Sequence, residues 1–174
     1  MKDPAVFIMG VGPRGTGKTY GVFDWCIEHG ERFIYVRRLR TQLDMCATVS
    51  GNPFQKINQD KHIDIKPYKS EGIVSFRYDC RSGEEVACGV ALSTLATMRG
   101  IDFSSYNIIV FDEAVPMVGE KPIKNEFEVF LNFVETVSRN RELLGEKPVK
   151  VILLGNANRL SNPYFTGWRF MKTA

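Results

Sequence analysis

Gly12-Pro13-Arg14-Gly15-Thr16-Gly17-Lys18-Thr19 packs three glycines, a lysine and a threonine into eight residues, in the pattern G-x-x-x-x-G-K-[ST]. Each residue type has a task in binding phosphate. Glycines let the backbone curl so that successive N–H groups point inward at phosphate oxygens. A helix starting at the end of the loop adds its positive N-terminal end. Lys18 is expected to reach the β- and γ-phosphates, and the Thr19 hydroxyl to ligate Mg²⁺. The competing reading of such a pattern is a surface glycine turn. Against it, the loop follows an apolar run and precedes a helical one, the context that phosphate binding needs.

Farther along, Ile108-Ile109-Val110-Phe111-Asp112-Glu113 is an apolar strand pattern that delivers two carboxylates at its C-terminal end. Ligands of open α/β sheets bind at those ends. Asp112 is expected to hold Mg²⁺ directly or through water, and Glu113 to polarise an attacking water. The bland alternative is a polar strand-to-loop transition. "VILLGNAN" repeats the strand-then-polar pattern, and Asn156, with Asn158 as the other candidate, could orient the water. An asparagine capping a turn is the equal alternative.

Phosphoryl transfer also needs positive charge beyond the loop lysine. Arg14 lies inside the loop and could act in cis, or simply face solvent. Residues 126–144 read as a helix with Phe127, Phe130, Leu131, Val134 and Val137 in one stripe. Arg139 projects away from that stripe and Arg141 falls near it. The helix follows the acidic strand and runs back along the sheet, so Arg139 is placed to reach a neighbouring subunit. A helix-end arginine favoured by the dipole is the alternative.

The elements around these residues alternate. Residues 6–11 and 32–38 read as strands flanking a helix over 19–29 that carries Val22, Phe23, Cys26 and Ile27 at helical spacing. "TQLDMCATV" suits another short helix. Residues 106–114 and 149–158 complete the buried strands. Residues 61–93 read as three strands separated by turns, and are expected to form an antiparallel insertion rather than part of the parallel sheet. The whole predicts an α/β domain, mostly parallel, with helices on both faces. After "SNPYFTGWRF" no closing helix is evident, and the chain is expected to be a piece of a longer protein.

Composition is that of an ordinary globular protein: 174 residues, 44% hydrophobic, 25% charged, net charge +3. No apolar run nears the length of a membrane span and no signal peptide opens the chain, so an intracellular protein is expected. The net charge does not by itself announce a nucleic-acid binder. Arg37-Arg38-Leu39-Arg40 is the densest basic run, by default a solvated surface. Cys26, Cys46, Cys80 and Cys88 form no metal-ligand or disulfide pattern and read as buried free thiols, and His29 and His62 stand alone.

An adjacent Asp–Glu pair suits hydrolysis by water. It points to the P-loop NTPases of the additional-strand catalytic-glutamate (RecA-like) type, with ATP and Mg²⁺ as the expected ligands. The N-K-x-D signature of GTPases and the LSGGQ of ABC ATPases are absent from the sequence. "GPRGTGKTYG", "RFIYVRR", "IIVFDEA", "SRNRE" and "LLGNANRLSNPYF", in this order, resemble the DNA-encapsidation ATPases of phi29-like phages. The resemblance covers residues 6 to 165; "FIYVRR" and "NPYF" are its more specific parts, and the antiparallel middle is less alike.

The resemblance implies a motor that hydrolyses ATP to drive double-stranded phage DNA into a procapsid through the portal, in the host cytoplasm. It implies a homomeric ring, commonly a pentamer, in which a packaging RNA can take part, and no membrane. It makes Lys18 and Thr19 the phosphate and Mg²⁺ residues, Asp112 the metal-binding acid and Glu113 the base. Arg139 falls on the family's trans-acting arginine, and Arg99 on a basic position that can act between subunits. Family members start with a longer N-terminal segment and continue into a nuclease-like C-terminal domain, so residues 1–174 correspond to the ATPase domain. Two other readings compete: a helicase-like P-loop translocase, and a nucleotide-dependent scaffold that barely turns over, against which Glu113 argues.

Overall fold

The computed structural model describes residues 6–95, 98, 100–117, 119–139, 141, 145–156 and 162–168. Seven strands form one sheet: β1 (Phe7–Val11), β2 (Phe33–Arg37), β3 (Ile65–Ser70), β4 (Ile73–Tyr78), β5 (Glu85–Ala91), β6 (Ile108–Phe111) and β7 (Lys150–Gly155). Their spatial order is β1-β7-β6-β2-β5-β4-β3. The pairs from β1 through β5 are parallel, and β4 and β3 extend the sheet antiparallel. The helices are α1 (Lys18–Glu28), α2 (Arg40–Cys46), α3 (Gln55–Lys61), α4 (Leu92–Leu95), α5 (Glu126–Ser138) and α6 (Pro163–Gly167).

The central strands are apolar along their whole length because both of their faces are covered. Alternate residues serve opposite layers. Phe33, Tyr35, Ile108, Val110, Ile152 and Leu154 pack with Phe23 and Cys26 of α1, Leu43 of α2 and Ile57 of α3. Ile34, Val36, Ile109, Phe111, Val151 and Leu153 pack with Phe130, Phe133, Val134 and Val137 of α5 and with Tyr164 of α6. The result is the three-layer α/β architecture that the alternation of elements predicts.

Four expectations need correction. The antiparallel portion expected over residues 61–93 is there, in the β3–β4 and β4–β5 pairs, but it does not stand apart from the parallel sheet, because β5 also pairs parallel with β2, from Phe33 opposite Ala87 to Arg37 opposite Ala91. The local turn signals between β3, β4 and β5 are real, yet an apolar strand buried on both faces has to sit inside the sheet. The helix predicted over 126–144 ends at Ser138, where Arg139 takes φ −53° and ψ 127°. Arg141 then turns inward, donating from Nη1 to the carbonyls of Ser104 and Tyr106 and from Nε to that of Lys147. Cys80 is exposed, while the other three cysteines are buried. A short helix does follow β7: Asn162 caps α6 by accepting from the Tyr164 and Phe165 amides, with Pro163 in its first turn.

The fourth correction concerns the basic run. Arg38 is wholly buried, forking onto Glu126 through Nε and Nη2, both at 2.7 Å. Its Nη1 reaches Glu120 at 2.7 Å, and Tyr164 donates to the same Glu126 carboxylate at 3.0 Å. Charge runs are read as solvated because exposure is the rule for arginine, and a satisfied buried ion pair is the exception. Removing one partner strands the other in a dry site. Arg38→Ala is therefore expected to destabilise the fold by about 3–5 kcal/mol, read as the shift in a urea unfolding curve; a loss under about 1 kcal/mol would mean the pair contributes little.

Candidate functional site

The glycine loop follows β1 directly and closes on the start of α1. Gly15 and Gly17 both sit at φ 75°, the left-handed conformation that glycine adopts without steric cost. Gly17 is the N-cap of α1 and has no side chain to cap it, which leaves the first N–H groups of the helix facing the cleft. Lys18 folds over the loop, donating from Nζ to the carbonyls of Gly12 at 3.0 Å and Pro13 at 2.6 Å. The Gly12 amide in turn bonds the Gly155 carbonyl at the end of β7, at 3.2 Å.

Two acids arrive from β6. Alternation along the strand turns Asp112 toward the α1 face, where Thr19 Oγ1 donates to its Oδ1 at 2.9 Å. Continued alternation would send the next side chain to the α5 face. Instead Glu113 has φ 53°, a left-handed backbone that breaks the alternation, and its carboxylate lies on the same side as that of Asp112. Asn156, just past β7, comes within 3.5 Å of Lys18 Nζ. These groups line a cleft of about 380 Å³ with Arg14, Gly15, Thr16 and Tyr20.

The principal residue that sequence reasoning missed is Arg37. Its Nη1 contacts Asp112 Oδ2 at 3.0 Å and its Nη2 contacts Glu113 Oε2 at 2.6 Å, so one guanidinium spans both acids. Its Nε is buried and has no hydrogen-bond partner among the described residues. Tyr35, two residues earlier and so on the same face, donates to Asp112 Oδ2 at 3.2 Å. Burial, reinforced by the Asp112 carboxylate, raises the Tyr35 phenol well above its ordinary pKa and keeps it a donor. The strand pattern gives only that Tyr35 and Arg37 share a face; that this face meets the acidic end of β6 comes from the β2–β6 pairing, which no local pattern announces.

The sequence-predicted residues separate into groups. Lys18, Thr19, Asp112, Glu113 and Asn156 converge on one cleft, and Arg14 lines it while reaching the Met117 sulfur with Nη2. Arg139 is exposed and lies elsewhere. α5 starts beside Arg38, close to the acids, and its 13 residues carry the chain about 20 Å back toward the N-terminal end of the strands. There Arg141 holds the segment that precedes β6. Arg99 and Asn158 fall outside the described residues.

As for ligands, a triphosphate with a divalent cation suits this donor set. A left-handed glycine loop supplies N–H groups, an ammonium lies over them, and a hydroxyl and a carboxylate oxygen stand 2.9 Å apart.

Comparison with known proteins agrees with this architecture. Residues 3–172 match the model of the podovirus DNA encapsidation protein (Gp16) family. The chain is 32% identical over 160 residues to a DNA packaging protein of Bacillus phage B103, spanning 89% of this chain and 45% of that protein. It is 34% identical over 163 residues to that of Bacillus phage phi29, spanning 89% of this chain and 44% of that protein. The chain thus spans less than half the length of either relative. The crystal structure of the N-terminal domain of the phi29 DNA packaging ATPase superposes with a TM-score of 0.75 at 29% identity, covering 97% of this chain and 81% of that one. With its glycine loop, its paired acids and nearly its whole length matched, the chain belongs to the podovirus DNA encapsidation protein family.

Proposed function

We propose that residues 1–174 are the ATPase domain of a motor that hydrolyses ATP to drive double-stranded DNA into a phage procapsid. The observation that carries this reading is the Thr19–Asp112 hydrogen bond, which joins the phosphate loop to the acidic strand at the point where a metal–triphosphate would sit. The family and the phi29 packaging ATPase domain supply the biological setting. The ring, the portal, the DNA and any packaging RNA enter as partners on the same ground.

In this reading Lys18 releases the loop carbonyls and holds the β- and γ-phosphates. Thr19 and Asp112 hold Mg²⁺, which draws charge from the phosphate oxygens when bound. Glu113 takes the proton of the attacking water, and Asn156 orients that water. For this, Glu113 must leave Arg37, because its Oε2 is held 2.6 Å from the guanidinium Nη2 and faces that group instead of a water. Arg139, near the end of the strands opposite the acids, serves the site of the adjacent subunit and not its own.

Three outcomes test the assignment. Lys18→Ala should abolish measurable ATP binding in calorimetry with the circular dichroism spectrum unchanged; undiminished binding would remove the phosphate-loop assignment. Glu113→Gln should bind ATP and Mg²⁺ yet hydrolyse about 10²–10⁴ times more slowly in a competent motor, the size of a lost general base. Near-normal turnover would move the role to another residue. The isolated domain should be a weak ATPase, since a missing arginine finger costs about 10³–10⁵ in turnover. Mixing Arg139→Ala with Glu113→Gln chains should restore part of the activity, because some interfaces then pair an intact base with an intact arginine. Rings that demonstrably mix and stay inactive would exclude the trans role.

A further inference from the structure

The cleft has a direction. Asp112, Glu113 and Asn156 gather at one end of it, around Lys18 and Thr19, and mark the phosphate that reacts. The first turn of α1 offers the N–H groups of Lys18, Thr19 and Tyr20 in succession. With Lys18 and Thr19 turned to the reactive end, a nucleotide leaves the cradle past Tyr20. Among the described residues that line the cleft, Tyr20 is the single aromatic one; the rest are glycines, hydroxyls, an amide and charged groups.

The Tyr20 ring is fixed from behind and at its tip. It is partly buried against the hydrophobic layer beneath α1. Its hydroxyl donates to Asp60 Oδ2 on α3 at 3.1 Å, and Lys56 holds the other oxygen of Asp60 at 2.6 Å. The Asp60 hydrogen bond raises the phenol above its ordinary pKa, so the ring stays neutral near physiological pH. A flat aromatic face held still beside a phosphate cradle is what a nucleoside needs, because stacking on it costs no further side-chain entropy.

Resting on the nucleotide reading above, we propose that Tyr20, braced by Asp60, is the shelf against which the nucleoside part of the nucleotide lies. The proposal separates two halves of one ligand. Loop and acids recognise the phosphates, and Tyr20 recognises what is attached to them.

Calorimetry on this chain with Mg²⁺ and either ATP or inorganic tripolyphosphate tests the division. Tyr20→Leu, which keeps apolar packing without a flat ring, should weaken ATP about 5- to 100-fold, the range of a lost base–aromatic stack. Its tripolyphosphate binding should not change. Tyr20→Phe should keep ATP affinity within about threefold, since it retains the ring. Equal losses for both ligands in Tyr20→Leu, or no loss for ATP, would overturn the shelf. Lys18→Ala must lose both ligands in the same experiment. If it loses neither, the nucleotide reading itself fails, independently of Tyr20.

Discussion

An extended strand throws successive side chains to opposite faces, and at the end of β2 this sends two adjacent guanidiniums to opposite layers of the molecule. Arg37 goes to the α1 face and spans Asp112 and Glu113. Arg38 goes to the α5 face and forks onto Glu126, with Glu120 on its third nitrogen. The stretch from 112 to 126 is therefore fastened at both ends to one strand. Neither guanidinium could lie buried there without a partner, since desolvating a lone ion costs several kcal/mol. The acids thus make the burial of β2's end possible, and β2's end in turn fixes where the acids lie. Tyr164 bonding to Glu126 brings the segment after β7 into the same arrangement.

What the sequence made legible is what local chemistry dictates. The glycine loop is eight contiguous residues with a demanding backbone, and two of its three glycines, Gly15 and Gly17, take left-handed angles. The acids at the end of β6 were readable because an apolar run has to end somewhere, and in a parallel sheet its C-terminal end faces the ligand. Arg37 and Arg38 were not readable as ion pairs, because their partners lie 76 and 88 positions away. The parallel seat of β5 was hidden for a related reason: its turn signals describe only its link to β4, while its pairing with β2 is a tertiary choice. α3 escaped notice because its sequence, QKINQDK, buries only Ile57, too little for a helical stripe. Arg139 was placed by extending a helical period one residue beyond where the helix stops. Its remoteness from the acids survives that error, because it follows from the direction of α5 and not from its last turn.

The division of labour between the sheet faces also bears on α5. A 13-residue helix that begins among buried carboxylates and ends beside Arg141 makes one rigid element of two distant sites. Phe130, Phe133, Val134 and Val137 seat it on the sheet, so it cannot slide without opening the core that they share with Phe111 and Ile109.

The left-handed backbone at Glu113 has an evolutionary meaning. A side-chain-bearing residue in that conformation costs about 1–2 kcal/mol relative to glycine, a sizeable part of a domain's net stability. A chain optimised only to fold would carry glycine or asparagine at this position. Under the proposed role of Glu113, a weaker fold is the counterpart of a carboxylate held over the cleft, and selection for folding alone would favour losing it.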